Sequence, residues 1–124
     1  MSKVLYIEDN FENRLLVRRI LMASDFEVIE AENARDGISK AQSDPPDIIL
    51  MDISMPDMDG LTATGKLREI DKLDGVPIIA VTANVMPGDK QMILDAGCDG
   101  YISKPIDIDR FVDQVSDFIR SRRT

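Results

Sequence analysis

The sequence contains no histidine and no tryptophan, and it has a single cysteine, Cys98. Without histidine the chain cannot carry a Ser-His-Asp or Cys-His nucleophile system, a histidine metal ligand or a phosphorylated histidine. One thiol cannot close an internal disulfide, and it has no second thiol with which to bind a metal. Cys98 is therefore interpreted as buried filler rather than a reactive thiol, in a protein of the reducing cytoplasm.

Long apolar runs are also missing, since none approaches the roughly 20 residues that cross a bilayer. The start of the chain shows no export signal, so no membrane association is expected. Basic residues are few: 15 lysines and arginines stand against 23 aspartates and glutamates, for a net charge of −8. A polyanion would be repelled by this surface, which argues against direct nucleic acid binding and favours cation sites at acidic clusters.

The basic residues that do cluster are Arg120, Arg122 and Arg123. They lie near the carboxyl end of a predicted helix, where their positive charges are expected to interact favourably with the helix dipole rather than form a docking tail. The 124 residues, 44% of them hydrophobic, suffice for one core and are too few for two. Residues 1–124 are therefore predicted to form a single domain.

Short apolar runs alternate five times with longer segments of helical period, and no internal repeat is present. Ile48–Asp52 and Ile78–Thr82 are apolar up to their last residue, as in strands covered by helices on both faces. Phe26–Ala31 contains two glutamates, which suits a sheet edge. The other predicted strands are Val4–Glu8 and Gly100–Ser103. Together they predict an α/β fold with a parallel sheet and right-handed crossovers.

The first predicted helix is capped by Asp9 or Asn10 and runs to about Ser24. The last predicted helix extends from about Asp107 to Arg122, and its apolar positions fall on one face. This face is expected to pack in the core and consists of Ile108, Phe111, Val112, Val115, Phe118 and Ile119.

Polar side chains stand where the predicted strands end. They are Glu8 and Asp9 at the first strand, Asp52 at the third, Thr82 at the fourth and Lys104 at the fifth. In an open parallel sheet, ligands sit beyond the carboxyl ends of the strands at the switch in strand order, so these side chains are expected to meet in one crevice. Crowded carboxylates are stabilised most simply by a hard divalent cation, and Mg²⁺ leaves coordination open for phosphate oxygens.

Each of these residues also has a purely structural alternative. Asp9 could only cap a helix, and Thr82 could be an ordinary strand residue. Lys104 and Pro105 could form a turn, and Asp52 could begin the loop that ends at Gly60. Their joint occurrence at successive strand ends is what favours a functional site.

The same pieces resemble the receiver domains of two-component response regulators over essentially the whole chain. Residues 80–89 and 96–106 are most similar to single-domain regulators of the DivK type and to receivers attached to hybrid histidine kinases. The matching motifs are Glu8-Asp9-Asn10, Leu50-Met51-Asp52 followed by Met55-Pro56 and Gly60, Val81-Thr82-Ala83, and Tyr101-Ile102-Ser103-Lys104-Pro105.

The resemblance implies a flavodoxin-like (βα)5 fold, doubly wound around five parallel strands in the order 2-1-3-4-5. It also implies a phosphoacceptor in signal transduction rather than a turnover enzyme. Asp52 would take a phosphoryl group from a histidine kinase or a histidine phosphotransfer protein, with Mg²⁺ or Mn²⁺ as the cofactor. The metal would be held by Asp9, Asp52 and the backbone carbonyl of Ser54, with Glu8 acting through water.

By the same resemblance, Lys104 would pair with one phosphoryl oxygen and Thr82 would hydrogen-bond another. As Thr82 moves, Tyr101 would turn inward and change the face formed by the fourth helix, fifth strand and fifth helix, where a downstream protein would bind. Simple packing is the alternative for Tyr101. The remaining family positions are structural: Pro56, Gly60 and Pro105.

Three further implications concern the surroundings of the site. The peptide bond before Pro105 would be cis, although the sequence alone leaves the isomer open. The helix that begins at Phe11 would dock the phosphodonor, although its apolar residues are expected to serve the core first. Ser54 and Asn84 flank the site in this family's pattern and would tune the lifetime of the phosphoryl group.

Other classes fit the residues less well. A phosphatase of the haloacid-dehalogenase type expects a second aspartate where Ser54 stands. A flavodoxin needs hydroxyls and glycine in the first loop, where Glu8 and Asp9 would repel the flavin phosphate. An EF-hand fails because Met55 and Lys66 occupy its first and twelfth ligand positions. A receiver-like scaffold that is never phosphorylated would have lost an acidic, hydroxyl or lysine position, and none is lost.

Overall fold

The structure is a computed structural model that describes residues 2–53, 58–83 and 87–121. Strands and helices alternate along these residues, with one short 3₁₀ turn at Asp71–Leu73. The strands are β1 (Lys3–Ile7), β2 (Glu27–Ala31), β3 (Ile48–Asp52), β4 (Ile78–Thr82) and β5 (Gly100–Ser103). The α-helices are α1 (Phe11–Met22), α2 (Ala34–Ser43), α3 (Gly60–Arg68), α4 (Pro87–Asp95) and α5 (Ile108–Arg120).

All of these strands pair in parallel and form one sheet in the order β2-β1-β3-β4-β5. The predicted flavodoxin-like fold and its strand order are therefore confirmed. The strand with two glutamates, β2, lies at an edge of the sheet, as its polar composition predicted. No helix within the described ranges has both the length and the apolar character needed to cross a membrane.

The predicted element bounds differ slightly from the observed ones. Helix α1 is capped by Asn10, whose side chain accepts a hydrogen bond from the backbone N–H of Asn13. It ends at Met22 rather than near Ser24, because the chain then reverses through Asp25 in a left-handed conformation with φ of 67°. Helix α5 begins one residue after its cap, Asp107.

Helices cover both faces of the sheet and enclose two apolar layers. The larger layer lies beneath α2, α3 and α4, and the smaller one lies beneath α1 and α5. Because both faces are covered, every residue of β3 and β4 is buried. Cys98 belongs to the larger layer and is 5% exposed, which agrees with its interpretation as buried filler.

Side-chain alternation along β1 and β3 decides which carboxylates share a face of the sheet. Tyr6 and Leu50 lie side by side on neighbouring strands and both point into the layer beneath α1 and α5. The next positions on that face, two residues further along each strand, belong to Glu8 and Asp52. The two carboxylates therefore leave the sheet next to each other.

Side-chain alternation along β4 and β5 places Thr82 and Lys104 on opposite faces of the sheet. Ile102 packs beneath α1 and α5, so Lys104 continues toward the side that Asp52 occupies. Ala80 packs beneath α2, α3 and α4, and Thr82 follows it on that side. The amine and the hydroxyl thus approach the end of β3 from different directions.

The apolar face of α5 packs largely as predicted, with one exception. Phe111 and Val115 are fully buried, but Ile108 is 59% exposed, so its assignment to the core is wrong. Ile108 is the first residue of α5 and directly follows the helix cap, Asp107, whereas the buried residues Phe111 and Val115 lie further along the helix. Val112, Phe118 and Ile119 are partly buried against the same layer.

In α1 the expectation that the apolar residues serve the core is also wrong in part. Val17 and Leu21 are buried, whereas Phe11 is 66% exposed and Leu16 is 40% exposed. The helical period brings residues four apart to the inner face and turns Phe11 and Leu16 away from it. An apolar surface therefore remains on α1, close to the end of β1.

Gly60 lies where α3 packs directly on the backbone that follows β3. A Cβ atom at this position would lie 2.6 Å from the Cα of Ile53 and 2.7 Å from the carbonyl oxygen of Asp52. Only a residue without a side chain permits this approach. The structural role that the family resemblance implies for Gly60 thus has a physical basis, whereas Pro56 lies outside the described residues.

Gly60→Ala is expected to lower the free energy of unfolding by about 1–3 kcal/mol, because the clash is with backbone atoms that cannot rotate away. The matched control is Gly65→Ala in the same helix, where a Cβ would meet nothing within 4 Å. This control should raise the free energy of unfolding by about 0.5–1 kcal/mol, since glycine disfavours a helix interior. Urea unfolding measures both variants, and a Gly60→Ala protein as stable as the wild type would contradict the close approach.

Candidate functional site

Three carboxylates meet at the carboxyl ends of β1 and β3. One oxygen each from Glu8, Asp9 and Asp52 lies within 4.8 Å of the others. Glu8 is 1% exposed and Asp52 is 4% exposed, whereas Asp9 reaches solvent. The structure thus brings together three of the four residues predicted to bind a metal. The fourth, Ser54, lies outside the described residues.

Lys104 supplies the ammonium group of this site. Its Nζ lies 3.0 Å from Glu8 Oε1 and 3.7 Å from Asp52 Oδ1, so it is nearer to Glu8. Its backbone N–H donates to the carbonyl oxygen of Thr82 at 2.7 Å, which ties it to the end of β4. The peptide bond to Pro105 is cis, as the family resemblance implies. One ammonium is therefore shared between two buried carboxylates, each of which needs a counter-charge.

Glu8 is held by more partners than the lysine alone. Its Oε1 also accepts hydrogen bonds from the hydroxyl of Tyr6 at 3.2 Å and from the side-chain amide of Asn13 at 2.9 Å. The guanidinium of Arg14 donates to the Glu8 backbone carbonyl at 2.7 Å. Reasoning from the sequence did not single out these donors. The available signal was a tyrosine within an apolar strand, two residues before a carboxylate on the same face.

Opposing effects act on the ionisation of Glu8. Burial raises the pKa of this carboxyl, but hydrogen bonding with Asp52, Lys104 and Asn13 lowers it, and the resulting pKa is about 2. Burial and the negative charge of Glu8 raise the pKa of Tyr6, so its hydroxyl remains a hydrogen-bond donor at neutral pH.

Thr82 ends β4 on the other side of Asp52 and is 4% exposed. A small cavity of about 210 Å³ lies beside it. Tyr101, on β5, is half-buried against the layer beneath α2, α3 and α4. The lining of the cavity consists of Ile53, Leu61, Thr82, Ala83, Asp89, Met92 and Ile93.

A larger cavity, of about 890 Å³, lies at the opposite end of the strands, near the amino ends of β4 and β5. Arg68 lines this cavity and donates to the carbonyl oxygens of Gly97 and Val76 and to the carboxylate of Asp99. Cys98 lines the same cavity, and burial raises the pKa of its thiol. These hydrogen bonds join Arg68, the last residue of α3, to residues next to β4 and β5.

A sequence model of the response regulator receiver domain matches residues 4–116. The chain belongs to this family. The resemblance drawn from the strand-end motifs is thereby confirmed. Receiver domains act in two-component signalling, where they interact with histidine kinases and downstream proteins, and their general function is phosphorylation on an aspartate. Membership of this family argues against the two alternatives considered from the sequence, a haloacid-dehalogenase phosphatase and a flavodoxin.

Individual relatives agree with this assignment. The polar-differentiation response regulator DivK of Brucella anthropi is 40% identical over 118 residues, which cover 95% of this chain and 96% of DivK. The chemotaxis protein CheY4 of Vibrio cholerae is 28% identical, with a TM-score of 0.91 over 95% of this chain and 98% of its own.

A third relative bears on the metal. It is the receiver domain of a sensor histidine kinase from Pseudomonas aeruginosa, solved with a magnesium ion coordinated in its active-site cleft. It is 31% identical, with a TM-score of 0.88 over 97% of this chain and 98% of its own. In the present chain, the oxygen donors of Glu8, Asp9 and Asp52 fit a hard divalent cation.

Asp9→Asn is expected to raise the free energy of unfolding by about 1 kcal/mol in metal-free buffer, because it removes one of three crowded like charges. Asp71→Asn is the matched control, since Asp71 is exposed and lies in the 3₁₀ turn away from the site. Urea unfolding in the presence of a chelator measures both. A loss of stability in Asp9→Asn would show that the carboxylates do not repel one another appreciably.

Proposed function

We propose that the phosphorylated aspartate of this receiver is Asp52. The observation that carries the proposal is the position of its carboxylate, which is buried, adjoins two other carboxylates and lies 3.7 Å from the ammonium of Lys104. An anionic nucleophile can approach an anionic phosphoryl group only when positive charge offsets the repulsion. Of the three acids, Asp52 is the one that ends a central strand.

The proposed donor is a phosphohistidine of a histidine kinase or a histidine phosphotransfer protein. A carboxylate oxygen of Asp52 forms the new P–O bond while the P–N bond breaks, and the imidazole leaves with a proton from solvent. Lys104 shifts from Glu8 to a phosphoryl oxygen, and it supplies point charge rather than bidentate geometry. The Thr82 hydroxyl donates to another phosphoryl oxygen.

The cofactor of the proposed reaction is Mg²⁺, with Mn²⁺ as a substitute. Asp9 and Asp52 would ligate it directly, Glu8 would act through water, and the Ser54 carbonyl would complete the protein ligands. When bound, the cation supplies the positive charge that offsets repulsion between these carboxylates and the phosphoryl group. Support comes from the three converging carboxylates in this chain.

Phosphoryl contacts would switch the protein because they exist only after the transfer. In this proposal Thr82 moves toward the phosphoryl group and Tyr101 turns inward, which changes the face formed by α4, β5 and α5. Exposed apolar side chains on α4 support a protein-binding role for this face. Met92 is 57% exposed and Leu94 is 40% exposed.

The phosphodonor is proposed to dock on α1. Phe11 and Leu16 expose apolar surface there, and α1 begins directly after the loop that carries Asp9. Aromatic and aliphatic side chains of this kind form the centres of protein interfaces. The guanidinium carbon of Arg14 lies 5.8 Å from the centre of the Phe11 ring, and this cation–π contact stabilises the position of the exposed ring.

We further propose that residues 1–124 form one receiver domain that is phosphorylated once and does not turn over. The single sheet and its two apolar layers unite all elements of the described residues, which supports one domain. Slow hydrolysis of the acyl phosphate, tuned by Ser54 and Asn84, would reset the protein. Both of these residues lie outside the described ranges.

Incubation with acetyl phosphate and Mg²⁺ is expected to add the mass of one phosphoryl group to the wild type and nothing to Asp52→Asn, as measured by intact-protein mass spectrometry. Asp59→Asn is the matched control, because asparagine can replace the aspartate that caps α3. This control should be phosphorylated like the wild type. An adduct on Asp52→Asn would refute the assignment, and continuous phosphate release would indicate a turnover phosphatase.

Mg²⁺ at about one hundred times its dissociation constant should add about 2.7 kcal/mol to the free energy of unfolding, because it binds the folded state. Asp9→Asn should lose most of this gain, since it removes a carboxylate from the cation site, whereas Asp71→Asn should keep it. Thermal unfolding with and without Mg²⁺ measures the effect, with NaCl at matched ionic strength as the salt control. Equal gains in all three proteins would mean that the cation binds elsewhere.

A further inference from the structure

Three hydrogen-bond donors converge on one oxygen of Glu8. They are the hydroxyl of Tyr6, the amide of Asn13 and the ammonium of Lys104, at 3.2, 2.9 and 3.0 Å from Oε1. Only the last of these is charged. In the proposed function it is also the donor that leaves, because the phosphoryl group on Asp52 draws the amine away from Glu8.

Tyr6 is placed so that it cannot follow the lysine. Its side chain is fully buried in the layer beneath α1 and α5, and its backbone pairs with Leu50 on one side and Glu30 on the other. Tyr6 precedes Glu8 by two residues on the same face of the strand, which brings the hydroxyl to the carboxylate. A phenylalanine ring would fill nearly the same space in this layer but could not donate a hydrogen bond.

We propose that Tyr6 is a positioning residue for the cation site, where its buried hydroxyl fixes the orientation of the Glu8 carboxylate. Together with Asn13 it keeps Glu8 in place when Lys104 moves to the phosphoryl group. The inference rests on the proposed function, since it concerns how Glu8 serves the same cation.

Counting lone pairs shows what this orientation achieves. A carboxylate oxygen has two lone pairs, so three donors saturate Oε1. Water bound to a cation must therefore use the other oxygen of Glu8. Fixing Oε1 against β1 and α1 settles which oxygen remains for the cation site before any cation arrives, so less entropy is lost on binding.

Tyr6→Phe tests the role directly, because it removes the hydroxyl and keeps the ring. Mg²⁺ affinity measured by isothermal titration calorimetry should fall about tenfold, as for other groups that orient metal ligands. The matched control is Val115→Ala, which removes buried apolar volume from the same layer without touching Glu8. This control should lose stability and keep its Mg²⁺ affinity. Unchanged affinity in Tyr6→Phe would overturn the inference.

A double-mutant cycle separates positioning from packing. In a Glu8→Ala background there is no carboxylate to orient, so adding Tyr6→Phe should leave Mg²⁺ affinity unchanged. An equal loss in the wild-type and Glu8→Ala backgrounds would show that Tyr6 acts through the core instead. Circular dichroism and thermal unfolding establish that each variant is folded before its affinity is compared.

A third measurement follows the hydroxyl of Tyr6 in the wild-type protein. The chain has two tyrosines, so ¹³Cζ labelling of tyrosine gives two NMR signals, and the one missing in Tyr6→Phe belongs to Tyr6. Mg²⁺ should shift the Tyr6 signal, because water bound to the cation draws charge from Glu8 and weakens the hydrogen bond. Failure of the signal to move at saturating Mg²⁺ would overturn the inference.

The two proposals fail in different ways. If the wild type neither binds Mg²⁺ nor gains a phosphoryl group, the proposed function fails and this inference fails with it. If the wild type does both while Tyr6→Phe binds Mg²⁺ with wild-type affinity, only the role of Tyr6 is refuted.

Discussion

Repulsion among three carboxylates at the end of a parallel sheet is the constraint on which the rest of this site depends. Glu8 and Asp52 are buried, Asp9 lies beside them, and the ammonium of Lys104 is shared between the two buried acids. One positive charge cannot neutralise three negative charges. Hydrogen-bond donors keep Glu8 ionised, with a pKa of about 2, and the cluster retains an excess of negative charge that a cation can offset.

The topology of the sheet is what brings these groups together. Parallel strands ending at one edge bring residues distant in sequence to the same place, and helices on both faces exclude water from the strands that carry them. Gly60 adds a local condition, because α3 can pack on the backbone of Asp52 and Ile53 only where no Cβ intervenes. The stability of the two apolar layers thus holds the like charges close together at the ends of the strands.

Much of this arrangement could be predicted from the sequence, because periodicity fixes which residues are strands and parallel pairing fixes where strands end. The meeting of Glu8, Asp52 and Lys104 follows from that reasoning, whereas the strand order was implied by the resemblance to receiver domains. Ile108 and Phe11 could not be placed, since an apolar residue at a helix start packs only if a neighbour reaches it. The hydrogen bonds to Glu8 were missed as well, because they depend on side-chain geometry rather than on pattern.

Lys104 takes part both in the charge interactions of the site and in the backbone contact between β4 and β5. Its amine lies nearer to Glu8 than to Asp52, and its backbone N–H bonds to the carbonyl oxygen of Thr82. In the proposed function, a phosphoryl group on Asp52 attracts this amine and the hydroxyl of Thr82 together. The backbone hydrogen bond between Lys104 and Thr82 holds the ends of β4 and β5 together, so that both side chains can reach the same phosphoryl group. In the proposed function, a phosphoryl group on Asp52 therefore adds contacts to Lys104 and Thr82 at the ends of β4 and β5. These contacts exist only in the phosphorylated protein, so they decide which conformation is favoured.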